Sequence, residues 1–335
     1  MFGLSIIIVN YKSHQLIADC LKSIQRYGIS CPHEIIIVDN ESRDDGETYI
    51  RNQYPNVIWR AIGYNAGFAR ANNDGIRISR YDYILLLNPD TIILEDAINK
   101  CFSLFSASKF AACGVQLLNC DYSLQISGSN FYPGGLNYAL PIPVIGKVLK
   151  FLSWLLSMKP SHVRKSASVS QVEWINGAFI MFRRSASIKV GLMDEDFFLY
   201  GEEIEWCSRL NKAGKLALFG ECQVIHLVSG SIQAQTSSKD NSYTNLFDKK
   251  GLQLMVSNHL MILKKFGVFW FFVHLLLHNV GMFLNLLFVP IKSLFLLISP
   301  KILVRDAFAY IANVIRVWAL LPKYLSRRPY FFKVL

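Results

Sequence analysis

Tyr83-Ile84-Leu85-Leu86-Leu87-Asn88-Pro89-Asp90-Thr91 decides the fold. Ile84 to Leu87 is an unbroken apolar run, which suits the centre of a parallel sheet covered on both faces better than an alternating surface strand. Pro89 cannot donate to a strand ladder, so the strand ends at Asn88. Asp90 then falls just past the carboxyl end of the strand, the edge where open α/β sheets hold ligands and metals. The competing reading of Asp90 is a helix N-cap, because Thr91 to Leu94 leads into a helical pattern.

Three earlier segments repeat the theme. Leu4 to Asn10 and Glu34 to Asp39 are β-branched strands, and Val57 to Ile62 is a third. Between them, Leu16, Ile17, Cys20, Leu21 and Ile24 share a helical face, Asn40, Ser42 and Asp44-Asp45 start another helix, and Ala66 to Ile78 reads as a third. Strand and helix alternate over about ninety residues, which predicts a doubly wound, mostly parallel α/β sheet. Two of its strands end in a carboxylate, Asp39 and Asp90.

Further along, helix is predicted from Leu94 to Ser106 and strand from Cys113 to Leu117. Asn119 to Gly135 is polar and glycine-rich, a mobile loop by composition. Gln171 to Phe182 reads as a strand interrupted at Asn176-Gly177, where the missing Cβ permits close approach of a ligand. Gly201 precedes a helix with Glu202 and Glu203 in its first turn, where the helix dipole favours carboxylates on its own. Phe198, Tyr200 and Trp206 nearby would wall a pocket and stack on an acceptor. Leu216 to Phe219 and Cys222 to His226 are predicted as two last strands.

The chain has 335 residues, 52% of them hydrophobic, and a mean hydropathy of +0.28. That is high for a fully soluble protein, so some apolar surface faces lipid or a partner. Seven cysteines without a C-x-x-C pair favour free thiols in a reducing compartment. Met1 to Ile6 has no basic n-region and no small-residue cleavage site, and its apolar run, ending at Val9, reads as a strand, not a signal peptide. Of the net charge of +11, all lies in Lys249 to Leu335, where twelve basic residues meet one acid, Asp306; residues 1–248 are balanced at 23 of each sign. Basic residues bracketing aromatic and Leu-rich runs fit an anionic membrane surface and argue against nucleic acid.

Two stretches carry that membrane signal. Leu140 to Lys165 has five basic residues and no acid, and Val144 to Ser157 within it is amphipathic; a core helix and a helix lying on lipid are equally weighted. Phe266 to Ile291 has no charge and is long enough to span, since ~20 apolar residues cross a bilayer. Yet His274, His278, Gly281 and Asn285 make a polar stripe along one face. Helices lying in the interface, with a single span as the alternative, are the expectation. The predicted organisation is a catalytic domain over 1–248, with a basic amphipathic insert at 140–165, and a membrane-associating helical tail over 249–335.

No G-x-G-x-x-G follows the first strand and no G-x-x-x-x-G-K-[ST] occurs, so neither a dinucleotide fold nor a P-loop is indicated. Six short motifs in register instead carry a family resemblance. They are Val9-Asn10-Tyr11-Lys12-Ser13, Val38-Asp39-Asn40-Glu41-Ser42, Asn65-Ala66-Gly67-Phe68-Ala69 with Asn73, Leu87-Asn88-Pro89-Asp90-Thr91, Phe198-Leu199-Tyr200-Gly201-Glu202-Glu203, and His226 with Gly230-Ser231. Over Leu4 to Leu263 the chain resembles family-2 glycosyltransferases of the GT-A fold, most of all the bacterial rhamnosyltransferase-like branch.

The resemblance implies that Asn10, Tyr11, Asp39, Asn40 and Ser42 hold the donor nucleoside, with Asp39 facing the pyrimidine. Asn65 and Gly67 would border the ribose and pyrophosphate. Asp90 matches the last acid of the family's D-x-D motif, Asn88 replaces the first, and His226 can complete the shell of a Mg²⁺ or Mn²⁺ ion. Glu203 or Glu202 is the general base, with Glu203 favoured. Trp174, Asn176, Gly177, Phe198, Tyr200 and Trp206 are acceptor-side candidates.

The implied reaction is inverting transfer of a sugar, L-rhamnose from dTDP-L-rhamnose as the first choice and a UDP-linked donor as the second. The implied acceptor is an undecaprenyl-diphosphate-linked saccharide in O-antigen or capsule assembly, at the cytoplasmic face of the bacterial inner membrane. Two other classes compete. A sugar nucleotidyltransferase would need a basic glycine-rich loop near the N-terminus, which Val9 to Ser13 lacks, and a non-catalytic membrane scaffold would leave the acids at strand ends unexplained.

Overall fold

The computed structural model describes residues 1–131, 133–158, 161–227, 245–296, 299–326 and 328–335. The chain forms two compact units, Met1–Asn130 with Ser161–Glu195 and Glu203–Lys239, and Phe131–Pro160 with Asp196–Glu202 and Asp240–Leu335. The stretch 140–160, expected as part of an insert in the first domain, groups with the C-terminal helices.

In the first unit, β1 (Leu4–Asn10), α1 (His14–Tyr27), β2 (His33–Asp39), α2 (Gly46–Gln53), β3 (Ile58–Ala61), α3 (Gly67–Ile78) and β4 (Tyr83–Leu87) form the alternating series the sequence predicts. After them come β5 (Thr91–Ile93), α4 (Ala97–Ser106), β6 (Ala112–Leu118) and β7 (Gly128–Ser129). The unit resumes with β8 (His162–Val163), β9 (Ser170–Val172), β10 (Trp174–Ile175) and β11 (Phe179–Arg183).

The main sheet runs β3-β2-β1-β4-β11-β6-β12-β5, with β12 spanning Leu216–His226 and β9 pairing on β12. β1 to β4 pair in parallel; β11 is antiparallel to both β4 and β6; and β12 is parallel to β6. Six strands therefore share one direction, and Asn10, Asp39, Leu87 and His226 all arrive at the same edge. This is the GT-A type of α/β fold. A small second sheet, β10-β7-β8, completes the unit.

Burial of β1 and β4 on both faces explains their apolar runs. Ile6, Ile8, Leu85 and Leu87 enter one core with Ile17, Leu21, Phe102 and Phe105 of α1 and α4. Their neighbours Ile7, Ile84 and Leu86 enter the other with Ala69 and Ile76 of α3. Successive side chains alternate faces, so a strand between two helical layers must be apolar at every position. The α3 backbone lies close to the sheet: a Cβ at Gly75 would stand 2.6 Å from Ile7 Cγ2.

Three expectations change. Thr91–Ile93 is a strand and the following helix starts after Asp96, so the N-cap reading of Asp90 is excluded. The two short strands predicted around Phe219 are one strand, irregular between Phe219 and Gln223. The stretch expected as a mobile loop contains β7 and ordered anchors; the backbone N–H of Gln125 donates to the Leu117 carbonyl at 2.9 Å.

The second unit is helical. It contains α5 (Ile145–Leu155), α8 (Lys249–Phe266), α9 (Val268–Leu287), α10 (Val289–Leu296), α11 (Pro300–Ala319) and α12 (Leu321–Leu325). The intervening α6 (Arg184–Val190) belongs to the first unit, as does α7 (Glu202–Ala213) but for its first residue. In α9 the polar stripe points inward: His274, His278, Gly281 and Asn285 are buried. His274 Nε2 lies 3.0 Å from the Gly134 carbonyl, and His278 Nδ1 lies 2.8 Å from Tyr310 Oη. The outward face carries Phe269, Leu276, Phe283 and Leu287, each more than 60% exposed. Helix α5 buries only Gly146 and exposes Phe151, Leu155 and, at 74%, Trp154.

Candidate active site

The site grows out of strand register. Asn10 ends β1 opposite Asp39, the end of β2. Asn10 Nδ2 donates to Asp39 Oδ1 at 2.8 Å and to Ser42 Oγ at 2.9 Å, while Asn10 Oδ1 accepts from the Ser13 backbone and hydroxyl. Its amide hydrogens are thus spent inside the protein. Asn10, fully buried, fixes Asp39, and Asp39 is the group presented at the surface of the cluster.

Asn40 carries the next connection. Its Oδ1 accepts from the Ala66 N–H at 2.7 Å, and its Nδ2 donates to Asn65 Oδ1 at 3.2 Å. Asn65 Oδ1 in turn accepts from the Gly67 N–H at 3.1 Å, and Gly67 opens α3 at a φ of 75°, a conformation suited to glycine. Glu41 also holds this loop, accepting from the Asn65 N–H at 3.0 Å. Lys12, Glu41 and Arg43 all have positive φ, so left-handed non-glycine backbone surrounds Asp39, as at many ligand sites. Tyr11 follows Asn10 and is half-buried. Beside the cluster is a cavity of about 240 Å³, lined by Asp39, Glu41, Arg43, Asp44, Glu47 and Trp59. Its carboxylates disfavour phosphate and suit a base and its sugar hydroxyls.

Asp90 and His226 meet because β5 pairs with β12 in a register that sets His226 opposite Thr91. Asp90 Oδ1 and His226 Nε2 are 3.5 Å apart, and both side chains are buried. That separation exceeds an ordinary N–H···O hydrogen bond. A carboxylate oxygen and an imidazole nitrogen facing each other are a donor set that would fit a divalent cation such as Mg²⁺ or Mn²⁺. Among the described residues no group of three or more His, Cys, Asp or Glu could hold a metal ion. Cys20 packs against Thr91, and burial pushes its thiol up to about 12, which leaves it neutral and inert. Gly230 and Ser231, which follow His226 in the sequence motif, lie outside the described residues.

On the other side of β4, the Asn88 N–H donates to the Ala178 carbonyl at 3.0 Å, extending the β4–β11 pairing to the site edge. Gly177 precedes β11 there. A Cβ at Gly177 would lie 3.6 Å from Glu203 Cγ, so the base candidate packs over the glycine the sequence marked as a point of close approach. Asn176 holds the turn by donating to the Ile126 carbonyl and accepting from the Ala178 N–H. Among the described residues, the buried indole N–H of Trp174 has no hydrogen-bond partner.

Not every candidate reaches the edge. Trp206 is fully buried: its ring meets Phe182 edge-on at 4.8 Å and its N–H donates to the Gly191 carbonyl. It is a core residue, not an acceptor contact, because the face of α7 that packs on the sheet carries it inward. Phe198 is also buried, against Phe331 in the second unit. Tyr200 is half-buried at a φ of 71°, in the turn that leads into α7, and Glu202 is buried where Glu203 is only half-buried. Gln125 was missed. It lies in the stretch read as a loop, where an isolated polar residue carries no sequence signal, yet it touches His226 twice.

A nine-stranded α/β sheet of this order, with its acids at the carboxyl edge, defines a GT-A glycosyltransferase. The chain belongs to glycosyl transferase family 2, whose family profile matches residues 5–191. Among curated proteins it is similar to the low-salt glycan biosynthesis hexosyltransferase Agl10 of Haloferax volcanii, 27% identical over 70% of this chain and 69% of that protein. It is similar also to the N-acetylglucosaminyl-diphospho-decaprenol L-rhamnosyltransferase of Mycobacterium tuberculosis, 26% identical over 58% of this chain and 66% of that protein. The chain thus spans about two thirds of the length of these relatives. Among solved structures, the mannosyltransferase PcManGT from Pyrobaculum calidifontis, in complex with GDP-Man and Mn²⁺, superposes with a TM-score of 0.50 at 13% identity, covering 96% of this chain and 79% of that one.

Proposed function

We propose that the protein is an inverting, metal-dependent glycosyltransferase that moves a sugar from a nucleotide donor to a lipid-linked saccharide during surface polysaccharide synthesis. The observation that carries this reading is the shared sheet edge: strand register brings Asp39 and Asp90 with His226 there, and helix α7 lays Glu203 over Gly177 beside them. Similarity to a rhamnosyltransferase acting on a decaprenol-linked substrate supports L-rhamnose as the sugar, dTDP as its carrier ahead of UDP, and an undecaprenyl-diphosphate-linked acceptor.

In this mechanism the cavity beside Asp39 takes the base, with the carboxylate, held by Asn10 and the Ser42 N–H, accepting from the pyrimidine. Asp90 and His226 would hold Mg²⁺ or Mn²⁺, which when bound neutralises charge on the departing diphosphate. Glu203 accepts the proton of the acceptor hydroxyl as that oxygen attacks the anomeric carbon. The bond from the anomeric carbon to the diphosphate oxygen breaks on the opposite face, and the configuration inverts. Half-burial suits Glu203 to this role better than the buried Glu202. The indole N–H of Trp174, which has no partner among the described residues, would supply an acceptor-side donor.

The exposed apolar faces of α5 and α9, with the basic excess of the tail, support attachment to the cytoplasmic face of the inner membrane. Helix α9 is also long and apolar enough to cross a bilayer, by length and composition. Its buried polar stripe, packed within its own unit, favours the peripheral or monotopic arrangement over the span. The decisive test is a donor screen with purified protein and a lipid-linked acceptor, scored for transfer and for anomeric configuration. Transfer that persists in Asp90→Ala or Glu203→Gln would sink the mechanism.

A further inference from the structure

Gln125 makes two contacts with His226 whose polarity leaves no freedom. Its Nε2 lies 2.6 Å from the His226 backbone carbonyl and 2.7 Å from Asn119 Oδ1. A carbonyl only accepts, so the end of the Gln125 amide facing it is the NH₂. The other end, Oε1, therefore faces His226 Nδ1 at 3.1 Å and can only accept.

A chain of contacts behind Gln125 agrees. The Ser123 hydroxyl donates to Asp121 Oδ1 at 2.5 Å and so can only accept from Asn119 Nδ2, at 2.8 Å. Asn119 must then present its oxygen to Gln125. From the Asp121 carboxylate to the imidazole, each group fixes the polarity of the next. The backbone of Gln125 is itself pinned to β6 at Leu117.

We propose that Gln125 is a positioning residue that sets the tautomer of His226, holding the proton on Nδ1 and aiming the Nε2 lone pair at Asp90. In the neutral histidine, Nε2 and Asp90 Oδ1 are then two acceptors 3.5 Å apart, which cannot hydrogen-bond to each other. Without Gln125 the imidazole would place its proton on Nε2 and donate it to Asp90, closing the gap and occupying both groups. The amide thus keeps the pair open for a cation. Its importance for the reaction rests on reading Asp90 and His226 as a metal pair; its control of the tautomer does not.

Long-range ¹H–¹⁵N correlation spectra of metal-free protein with ¹⁵N-labelled histidine, at about pH 8 where a free imidazole is neutral, read the tautomer directly. The His226 signals are assigned by their loss in His226→Gln. The expected result is Nδ1–H in the wild type and Nε2–H or a mixture in Gln125→Leu. Mn²⁺ affinity in the presence of dTDP, measured by electron paramagnetic resonance, should weaken about 10- to 100-fold in Gln125→Leu.

An Nε2–H wild type overturns the proposal, whether or not the variants fold, and so does an unchanged tautomer in Gln125→Leu. A wild type that holds Nδ1–H through Gln125 but binds no Mn²⁺ even with dTDP present keeps the tautomer assignment and removes the metal from the proposed mechanism.

Discussion

The two units of this chain solve opposite solvent problems. The sheet unit places Ile, Leu and Val on both faces of β1 and β4 and spends its polar side chains at the sheet edge. The helical unit turns its histidines and asparagines inward on α9 and shows Phe, Leu and Trp outward. Water outside explains the first arrangement through the hydrophobic effect. The second leaves contiguous apolar surface exposed, the mark of a partner or a membrane.

The sharpest way to break this contrast is at the sheet edge. Glu203→Gln should lower transfer by about 10²- to 10⁴-fold with an unchanged circular dichroism spectrum. Near-normal turnover would move the base elsewhere.

Next come paired truncations. Leu86→Ala, in the middle of β4, should cost ~2–5 kcal/mol in denaturant unfolding. Phe283→Ala on the outer face of α9 should change stability in water by no more than ~0.5 kcal/mol. Equal costs would show that the outer face of α9 is core after all.

His274→Phe removes the partner of the buried Gly134 carbonyl and should cost about 1–3 kcal/mol. A neutral outcome would mean that the inward polar stripe is not structural.

The smallest effect tests the medium itself. Replacing Lys147 and Lys150 of α5 with Gln should weaken flotation with anionic vesicles by ~1 kcal/mol per lysine, an effect erased by high salt. Flotation indifferent to both charge and salt would leave the apolar faces as the whole of the attachment.

β1, β2 and β4 were legible because a strand covered on both faces needs apolar residues at nearly every position, and that run is visible in one dimension. β5 was not: three residues carry no period, and Thr91–Ile93 became a strand only by pairing with β12. Asp39 and Asp90 were legible because each ends an apolar run. The pairing of Asp90 with His226 is a matter of register between segments more than a hundred residues apart. Trp206 was misread because an aromatic residue beside acids looks the same whether its helix turns it toward a ligand or toward Phe182.

By itself, the sequence determined where strands could run, which of them end in acids, and that the basic charge sits with the greasy tail. Local composition and periodicity suffice for these, because they depend on what each residue does to its own segment. Only the tertiary structure decided which way the α9 stripe faces, that Glu203 lies over Gly177, and that an amide in a presumed loop governs His226. Those depend on contacts between distant segments, where the polarity of a hydrogen bond is set by the partner that folding delivers.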